Sequence, residues 1–332
     1  MNPARALDEE GRRIRTRSTP RGLPLTEVGF GAAQLGNLNR ETTDEASTAA
    51  VDAAWDAGVR YFDTAPHYGI GLSERRLGAA LAGRPRDDFV LSTKMGRALV
   101  PTPDRAAAGE LDDHDFVTPA THRREWDFSR DGIRRSLEQS LDRLGLDRVD
   151  IAYLHDPDDH WEAASTTGIA ALVELRDEGV VRAIGAGMNQ SAMLTEFVRR
   201  CDVDIVMVAG RYTLLDRSAA DDLLPMAEAR GVAVVAAAVY NSGLLSRAEV
   251  TSDARYDYDT APPEVIQRAR AMAAVCAEYG ATLPDAAVQF PLRHPAVTSV
   301  VVGTRTREQV ASSVARYSAP IPEELWASLE GA

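Results

Sequence analysis

The chain of 332 residues has few cysteines, few aromatic residues and no long apolar run. Its two cysteines, Cys201 and Cys276, are too few for a disulfide framework and are typical of a reducing compartment. The longest apolar run, Val232 to Tyr240, is far shorter than the ~20 residues that cross a bilayer. No apolar stretch near Met1 resembles a signal peptide. These absences predict a cytoplasmic protein with no membrane partner.

An excess of positive charge is also absent, since 37 Lys and Arg residues stand against 50 Asp and Glu, a formal net charge of −13 at pH 7. Nucleic acids and anionic lipid surfaces attract positively charged proteins, so neither is expected as a partner. A negative net charge still allows one local basic pocket that binds a single phosphate. Hydrophobic residues make up 45% of the chain, which excludes a disordered polymer and allows an ample core.

Short β-branched apolar runs alternate with amphipathic helical stretches along the whole chain. The predicted strands are Thr26–Leu35, Arg60–Thr64, Phe89–Lys94, Val149–His155, Val181–Met188, Val203–Val208, Val232–Val239 and Thr298–Val302. The predicted helices are Asp44–Ala57, Gly71–Leu81, Ser129–Leu144, Trp161–Glu178, Ser191–Arg199, Ser218–Arg230, Pro263–Tyr279 and Thr306–Ala315. This alternation predicts one (β/α)8 TIM barrel forming a single domain over residues 1–332. An open doubly wound sheet is the alternative, but the chain lacks the Gly-x-Gly-x-x-Gly turn typical of it.

Two long segments, expected to be irregular, interrupt the repeat. They are Gly96–Phe128, after the third predicted strand, and Leu244–Pro262, after the seventh. In a barrel both leave the carboxyl ends of strands, where active sites are built, so both are predicted substrate loops. Ahead of the first strand, Gly11–Leu23 is predicted to form a short hairpin over the barrel floor.

Four polar residues end, or closely follow, three neighbouring predicted strands. Asp63, Lys94 and His155 end the second, third and fourth strands, and Tyr68 follows Asp63 by five residues. Each residue alone is more often structural at such a position, but four at one rim predict a site for proton transfer. An ammonium beside a phenol lowers the pKa of the phenol, and a carboxylate keeps the ammonium charged and in place. The imidazole can polarise a substrate oxygen.

The run that contains His155, Asp156 and Asp158 has a metal site as its alternative interpretation. No second cluster with ligand spacing accompanies this run. No metal is therefore expected.

At this point the sequence resembles the aldo-keto reductase superfamily. The resemblance is carried by Phe62-Asp63-Thr64-Ala65-Pro66-His67-Tyr68-Gly69, by Ser92-Thr93-Lys94, by Leu141-Asp142-Arg143-Leu144 and by Val149-Asp150 leading to His155. It implies that Asp63, Tyr68, Lys94 and His155 form a catalytic tetrad. It also implies that a nicotinamide cofactor lies extended across the barrel mouth.

The resemblance further implies a set of cofactor contacts: Met188, Asn189, Tyr212, Ser242, Gly243, Leu244, Gly303, Thr304, Arg305 and Gln309. Several positions depart from the family pattern, with Ala209 in place of a frequent Gln, Ala237 in place of a stacking aromatic and Gly303 in place of a Lys. Arg305 is the candidate partner of an adenosine 2′-phosphate, and a solvated charge at the start of a helix is the alternative. The cofactor is therefore expected to be NADP or NAD.

Three stretches, His155–Asp159, Ala186–Gln190 and Ala209–Asp216, are similar to the aldose-oxidising branch of the superfamily. This similarity implies a small-molecule sugar or carbonyl substrate, with oxidation of C1 of an aldose such as L-fucose to a lactone. His67, Trp126 and Arg211 are the expected substrate contacts. A broad NADPH-dependent aldehyde or ketone reductase and a cofactor-binding regulatory subunit without turnover are the alternatives. Whether the protein is a monomer or a homo-oligomer is left open.

Overall fold

The computed structural model describes residues 14–257 and 259–330, and its centre is a closed barrel of parallel strands. The barrel strands are β1 (Val28–Gly31), β2 (Tyr61–Asp63), β3 (Val90–Met95), β4 (Ile151–His155), β5 (Ala183–Met188), β6 (Ile205–Ala209), β7 (Ala233–Ala237) and β8 (Val297–Gly303). They pair in chain order, and β8 closes on β1 with Val300 opposite Val28. The prediction of a (β/α)8 barrel is confirmed. That a single domain covers residues 1–332 stays a prediction.

Helices surround the barrel. They are α1 (Asp44–Asp56), α2 (Leu72–Leu81), α3 (Arg130–Leu144), α4 (Ile169–Asp177), α5 (Ser191–Arg200), α6 (Leu223–Arg230), α7 (Pro263–Glu278), α8 (Leu283–Gln289), α9 (Arg307–Ser318) and α10 (Glu323–Glu330). Shorter turns of helix lie at Ala33–Gly36, Arg86–Asp88, Pro103–Ala107, Trp161–Ala163, Ala164–Gly168, Ser218–Ala220, Asn241–Ser246 and Phe290–Arg293. The Thr43 hydroxyl accepts from the amide of Ala46 and the Ser129 hydroxyl from that of Gly132, so α1 and α3 begin at capped residues.

The end of the chain departs from the expected repeat. Sequence periodicity predicts Pro263–Tyr279 as the helix that leads into the eighth strand, but the additional helix α8 follows it before β8. Cys276 of α7, Ala286 of α8 and Leu325 of α10 are fully buried in one shared apolar cluster. Helices α7 and α10 therefore bury their apolar faces in this second core, which the sequence pattern did not separate from the first.

An N-terminal hairpin closes the barrel floor. Thr16–Ser18 pairs antiparallel with Pro24–Thr26, and Leu23 and Leu25 join the apolar cluster inside the barrel. The expected hairpin is confirmed, although it spans 16–26 rather than 11–23, and residues 11–13 lie outside the described part of the chain. Leu25 is fully buried because it faces the barrel interior alongside Tyr61 and Tyr153.

The two predicted substrate loops both follow strands at the carboxyl end of the barrel. The first is not irregular, since Arg97–Pro101 and His122–Trp126 form an antiparallel hairpin with residue 97 opposite residue 126. The second contains the turn Asn241–Ser246 and a two-residue ladder of Arg255–Tyr256 with Asp259–Thr260; Tyr258 lies outside the described residues. Within the described ranges, no helix combines the length and apolar character needed to span a membrane.

Candidate active site

Three of the four residues predicted to transfer protons are joined by hydrogen bonds. The Lys94 ammonium donates to Asp63 Oδ2 at 2.6 Å, to the Tyr68 hydroxyl at 3.0 Å and to the carbonyl of Thr64 at 3.1 Å. The fourth residue, His155, places its ring perpendicular to that of Tyr68, with 5.7 Å between the ring centres. The structure therefore brings the predicted tetrad together at the carboxyl ends of β2, β3 and β4.

Close backbone packing between two loops holds Tyr68 in place. Gly69 adopts a left-handed backbone conformation with φ of 62°, and a Cβ atom there would lie 2.2 Å from the carbonyl oxygen of Gly36. A side chain at residue 69 would therefore push the β2 loop away from the β1 loop. Tyr68 is thus followed directly by a turn in which glycine fits and a larger residue would clash.

The charges of the tetrad follow from burial and from the partners of each group. Burial lowers the pKa of Lys94, but attraction to Asp63 and Tyr68 outweighs this effect and the pKa lies above its ordinary value. Burial raises the pKa of Tyr68, and the Lys94 ammonium counteracts it only in part. The lowered pKa predicted for this phenol from the sequence is therefore wrong in net direction, because the loss of water on burial outweighs the effect of the ammonium. The resting site pairs a charged Lys94 with a neutral phenol.

His155 is neutral in this site. Burial lowers its pKa well below the ordinary value, and the cationic side chains of Arg97 and Lys94 lower it further. Its Nδ1 atom is buried without a hydrogen-bond partner among the described residues. A neutral imidazole can hydrogen-bond a substrate oxygen without changing the charge of the site.

A chain of hydroxyl groups lies beneath the tetrad. The Ser92 hydroxyl donates to Asp63 Oδ1 at 2.7 Å, and the Tyr61 hydroxyl lies 3.1 Å from Ser92 Oγ and 3.3 Å from the Tyr153 hydroxyl. Sequence reasoning missed these residues, although a signal exists. Tyr61, Ser92 and Tyr153 each precede a tetrad residue by two positions, and residues two apart on a strand share a face.

On the substrate side, aromatic and charged residues border the tetrad. The ring of His67 lies 5.4 Å from that of His155 and 5.3 Å from that of Phe116, and Phe116 in turn lies 6.0 Å from Tyr68. Trp126 is 42% exposed at the end of the first substrate loop. His67 thus lies beside the tetrad and Trp126 on the adjoining hairpin, and their role as substrate contacts stays a prediction. Phe116 was missed because loop spacing does not indicate which residues face inward.

Arg97, also missed by the sequence argument, links several of these groups. Its Nη2 donates to Asp156 Oδ2 at 2.7 Å and its guanidinium lies 4.7 Å from the centre of the Trp126 ring. Asp156, directly after His155, has a left-handed backbone with φ of 41° and places Oδ2 3.6 Å from His155 Nε2. A charged pair therefore stands beside the imidazole.

The structure gives Arg211, an expected substrate contact, a different role. Its guanidinium donates to the carbonyl of Asn189 at 2.7 Å, to Asp216 at 3.1 Å and to both carboxylate oxygens of Asp257 at 2.8 and 2.9 Å. These bonds join the loops after β5, β6 and β7. Arg211 is therefore a brace between loops, and its donors are directed to protein groups.

The loops that follow the adjacent strands β7, β8 and β1 each contain a buried amide or threonine hydroxyl oxygen with no hydrogen-bond partner among the described residues. These oxygens are Asn241 Oδ1, Thr304 Oγ1 and Gln34 Oε1. A dinucleotide presents ribose hydroxyls that donate and phosphate oxygens that accept, so one hydroxyl and two amide oxygens suit it. Sequence reasoning missed Gln34 as a cofactor contact, since a single polar residue after a strand carries no specific pattern.

The turn after β7 has a left-handed backbone over three successive residues. Asn241, Ser242 and Gly243 have φ values of 44°, 56° and 96°, and Leu244 continues the same turn. The amides of Asn241 and Gly243 donate within the turn, to the carbonyls of Ala238 at 2.8 Å and Tyr240 at 3.0 Å, so these two amides are not available to a phosphate. The fit of this face to the nicotinamide dinucleotide that the family resemblance implies therefore rests on its unpartnered side-chain atoms.

The expected contacts on β5 and β6 have different outcomes. Met188 ends β5 as a buried residue, and Asn189 is half-buried directly after it. Tyr212 is 8% exposed, and its ring packs against Phe290 and His294, which lie ahead of β8. Its side chain is therefore part of the core around the barrel, and the structure does not bring it to the mouth.

Arg305 does not present a free guanidinium to a phosphate. Its side chain donates to the carbonyls of Arg40 at 2.9 Å and Leu38 at 2.5 Å and to the Thr42 hydroxyl, and the residue is 8% exposed. Its backbone amide donates to Gln309 Oε1 at 2.8 Å. Arg305 thus braces the β1 loop, contrary to the expected pairing with a 2′-phosphate and also to a solvated charge.

Two further features concern Gly303 and the acidic run that contains Asp156 and Asp158. A Cβ at Gly303 would lie 2.5 Å from the Gln34 amide nitrogen, so that amide covers the position where many relatives carry Lys. Asp158 accepts from the Gln190 amide at 2.7 Å. In the part of the chain that the structure describes, no three His, Cys, Asp or Glu side chains are grouped as metal ligands.

Comparison with known proteins agrees with this geometry. A model of the aldo/keto reductase family matches residues 27–332. The chain is 49% identical over 309 residues to D-threo-aldose 1-dehydrogenase of a Pseudomonas species, covering 93% of this chain and 94% of that protein. It is 37% identical over 327 residues to pyridoxal 4-dehydrogenase of Microbacterium luteolum, with the same coverage.

Solved structures agree as well. The holo form of an aldo-keto reductase from Bacillus halodurans has 26% identity and a TM-score of 0.74, covering 96% of each chain. A glycerol dehydrogenase from Gluconobacter oxydans has a TM-score of 0.77 at 23% identity, covering 95% of this chain and 94% of its own, and supports the fold alone. With the family match extending from β1 to the end of the chain, this protein belongs to the aldo/keto reductase family and is an oxidoreductase that uses a nicotinamide cofactor.

Proposed function

We propose that this enzyme oxidises C1 of a cyclic aldose of the L-fucose type to a lactone. The observation that carries the proposal is the position of the Lys94 ammonium between Asp63 and the Tyr68 hydroxyl, at 2.6 and 3.0 Å. The 49% identity to D-threo-aldose 1-dehydrogenase supports an aldose as the substrate. The similarity to pyridoxal 4-dehydrogenase shows that relatives of this sequence also act on other compounds.

The tetrad has one task, which is to hold and move a proton at the C1 oxygen. Lys94 stabilises the phenolate form of Tyr68, and this phenolate takes the proton of the C1 hydroxyl, which returns Tyr68 to the neutral phenol. Asp63 keeps Lys94 charged and oriented, and it is held by Ser92. The neutral His155 binds the same substrate oxygen by a hydrogen bond. The bound nicotinamide ring supplies the hydride acceptor.

The cofactor would be held at the barrel mouth by two sets of residues. Asn189 and Met188 lie at the nicotinamide end, where an amide can bind the carboxamide of the ring. At the other end are the turn of Ser242, Gly243 and Leu244 and the groups around Thr304 and Gln34.

NAD is the preferred cofactor in this proposal. The guanidinium of Arg305 is directed to the β1 loop, and Gly303 replaces the cationic side chain that would pair with a 2′-phosphate. Because neither position offers it a charge-assisted hydrogen bond, the extra phosphate of NADP gains little from residues 303 and 305 and must still be desolvated.

The test is a spectrophotometric assay of a panel of aldoses, including L-fucose, with NAD and NADP side by side. We expect reduced cofactor to form with a subset of aldoses, with kcat/KM higher for NAD and with lactone as the product. Faster reduction of aromatic aldehydes with NADPH would instead favour a broad reductase. Tight cofactor binding with no turnover on either panel would favour a regulatory subunit.

A further inference from the structure

Arg97 lies in the substrate-facing half of the site, three residues after Lys94. A Cβ at Gly96, whose φ is 98°, would meet the Phe128 ring at 2.3 Å, so the turn into Arg97 is closely packed. The Arg97 side chain is 17% exposed and contacts Asp156 on one side and the Trp126 ring on the other. Arg97 is thus one carboxylate away from the tetrad residue His155.

The polar atoms of this corner are not all used within the protein. Arg97 Nη1 lies 3.4 Å from His67 Nε2, and because arginine only donates, Nε2 accepts and Nδ1 carries the proton of the neutral ring. Arg97 Nε and His67 Nδ1 are both buried without a partner among the described residues. Asp156 Oδ1 likewise accepts no hydrogen bond there, since only Oδ2 is bound. Two donors and one acceptor of this corner are thus not used by the described protein groups.

Both guanidinium groups around these atoms are paired. Arg97 is paired with Asp156 at 2.7 Å, and Arg124 is paired with both oxygens of Asp112 at 2.6 and 2.7 Å. The Arg124 and Asp112 side chains are 6% and 1% exposed, so this pair is well shielded from water. A ligand with a phosphate or carboxylate would meet a carboxylate beside each guanidinium and the further negative charge of Asp158, whereas a neutral ligand is not repelled.

We propose that Arg97 and Asp156 bind the ring hydroxyls of the substrate remote from C1 and thereby select uncharged, polyhydroxylated sugars. This inference rests on the proposed function. A sugar hydroxyl both donates and accepts, so one hydroxyl accepts from the guanidinium while it or its neighbour donates to Asp156 Oδ1. Trp126, which is 42% exposed, offers the uncovered part of its ring to the C–H bonds of the sugar.

This arrangement selects against analogues without hydroxyls. A site built to hydrogen-bond a substrate hydroxyl rejects the analogue that lacks it, because the buried polar groups are then left unpaired. Selection by Arg97 is therefore expected to depend on the ring hydroxyls and not on the chemistry at C1.

The experiment compares an aldose that the wild-type enzyme oxidises with tetrahydropyran-2-ol, a cyclic hemiacetal that has the same reacting carbon and no ring hydroxyls. Arg97→Met keeps an unbranched apolar stem at this position and removes the donors. We expect kcat/KM for the aldose to fall about 10- to 100-fold, mainly through KM, as for loss of hydrogen bonds to a charged group. For tetrahydropyran-2-ol the fall should be at least about threefold smaller, because this substrate loses only the effect of Arg97 on Asp156 and His155 and no hydrogen bond of its own.

Two further variants make the result specific. Arg97→Lys keeps a cation beside Asp156 but lacks the forked donor set, so its loss should be smaller and again confined to the aldose. Arg105→Met is a control in the same loop, because the partners of Arg105 are the exposed Glu110 and Asp113. It should leave kcat/KM unchanged for both substrates. An equal loss on both substrates, or no loss on either, would overturn the role of Arg97.

Selection for uncharged sugars is tested separately. We expect a phosphate ester of the same aldose, made at a ring hydroxyl remote from C1, to have a kcat/KM at least about 100-fold below that of the free sugar. Comparable turnover of the ester would overturn selection for uncharged sugars. If the wild-type enzyme oxidised no aldose, the proposed function would fail and this inference with it. Aldose turnover without Arg97-dependent selectivity would overturn this inference alone.

Discussion

At the scale of single residues, burial and the Lys94 ammonium have opposite effects on the pKa of Tyr68. The phenol needs a proton to act on a carbonyl and must lose it to act on an alcohol, and burial favours the protonated form. The Lys94 ammonium, 3.0 Å from the phenol oxygen, is the group that makes phenolate accessible. Two substitutions separate these effects.

We expect Tyr68→Phe to remove most turnover while cofactor affinity stays nearly unchanged, because only the proton carrier is lost. General acid–base catalysis contributes about 10²- to 10⁴-fold, and kcat should fall by that factor. Stopped-flow turnover and fluorescence titration of the cofactor would measure the two quantities. A variant that kept more than about a tenth of the wild-type kcat would show that another group moves the proton.

We expect Lys94→Met to shift the pH dependence of aldose oxidation upward. Loss of the ammonium removes the main influence that lowers the pKa of Tyr68, so phenolate forms only at higher pH. Activity at neutral pH should fall strongly and recover in part as the pH is raised. The measurement is kcat/KM against pH for the variant and the wild type.

Because Lys94→Met leaves the carboxylate of Asp63 buried without its cation, the double variant Lys94→Met with Asp63→Asn serves as a control for folding. A pH profile unchanged from that of the wild type in both variants would remove Lys94 from the mechanism.

At the scale of elements, the cofactor side of the site depends on contacts between loops that are distant in sequence. Arg305, just before α9, binds backbone carbonyls of the loop between β1 and α1, and Arg211 joins the loops after β5, β6 and β7. Both arginines hold the rim of the barrel in shape. Neither is arranged as a contact for a single charged ligand.

We expect Arg305→Ala to weaken the binding of NAD and NADP by the same factor, because it loosens the β1 loop that both cofactors share. The ratio of the two dissociation constants should stay within about twofold of the wild-type ratio, as measured by fluorescence titration. A loss of roughly 10-fold or more confined to NADP would show that Arg305 pairs with the 2′-phosphate after all.

Arg307→Ala is the matched control for this prediction, since Arg307 is exposed at the first position of α9. It should leave both dissociation constants unchanged. Selective loss of NADP binding in this variant would place the phosphate contact there and contradict the preference for NAD.

At the scale of the whole molecule, one buried carboxylate connects residues near the start of the described chain with helix α9. Glu27, ahead of β1, accepts from Arg15 at 3.1 Å and Arg17 at 2.6 Å in the N-terminal hairpin and from the Tyr317 hydroxyl near the end of α9. Burial raises the pKa of Glu27, but the bonds to Tyr317 and Arg17 outweigh it, and the net pKa lies below the ordinary value. The folded state therefore favours the ionised carboxylate.

We expect Glu27→Gln to lower the free energy of unfolding by about 1.5–3 kcal/mol at pH 7, as for loss of hydrogen bonds to a charged group. A lowered folded-state pKa contributes stability above the unfolded-state pKa of about 4.3, and this stability is lost as the pH falls through the folded-state value. The difference between wild type and variant should therefore shrink below about pH 4. Urea denaturation at several pH values would measure it.

Glu249→Gln, at an exposed position, is the control and should change the free energy of unfolding by less than about 0.5 kcal/mol. A difference between wild type and Glu27→Gln that stayed constant down to pH 3 would show that the charge of Glu27 does not contribute.

The amino-acid sequence by itself determined the barrel and its reacting corner. Strand-like runs buried on both faces alternate with helical stretches, and parallel strands joined in this way place Asp63, Lys94 and His155 at one rim. The motif that ends in Tyr68-Gly69 added the phenol. Each of these inferences depends on residues close together in the chain, which local periodicity and motifs describe.

Only the tertiary structure decided what the arginines do and how the phenol titrates. The partners of Arg305 lie more than 260 residues away in the chain, and those of Arg97 come from the loops after β2 and β4 and from the other strand of its own hairpin. A guanidinium at the start of a helix has the same sequence pattern whether it binds a phosphate or a backbone carbonyl. The pKa of Tyr68 likewise depends on how much water burial removes, a quantity that exists only once the loops have packed around the site.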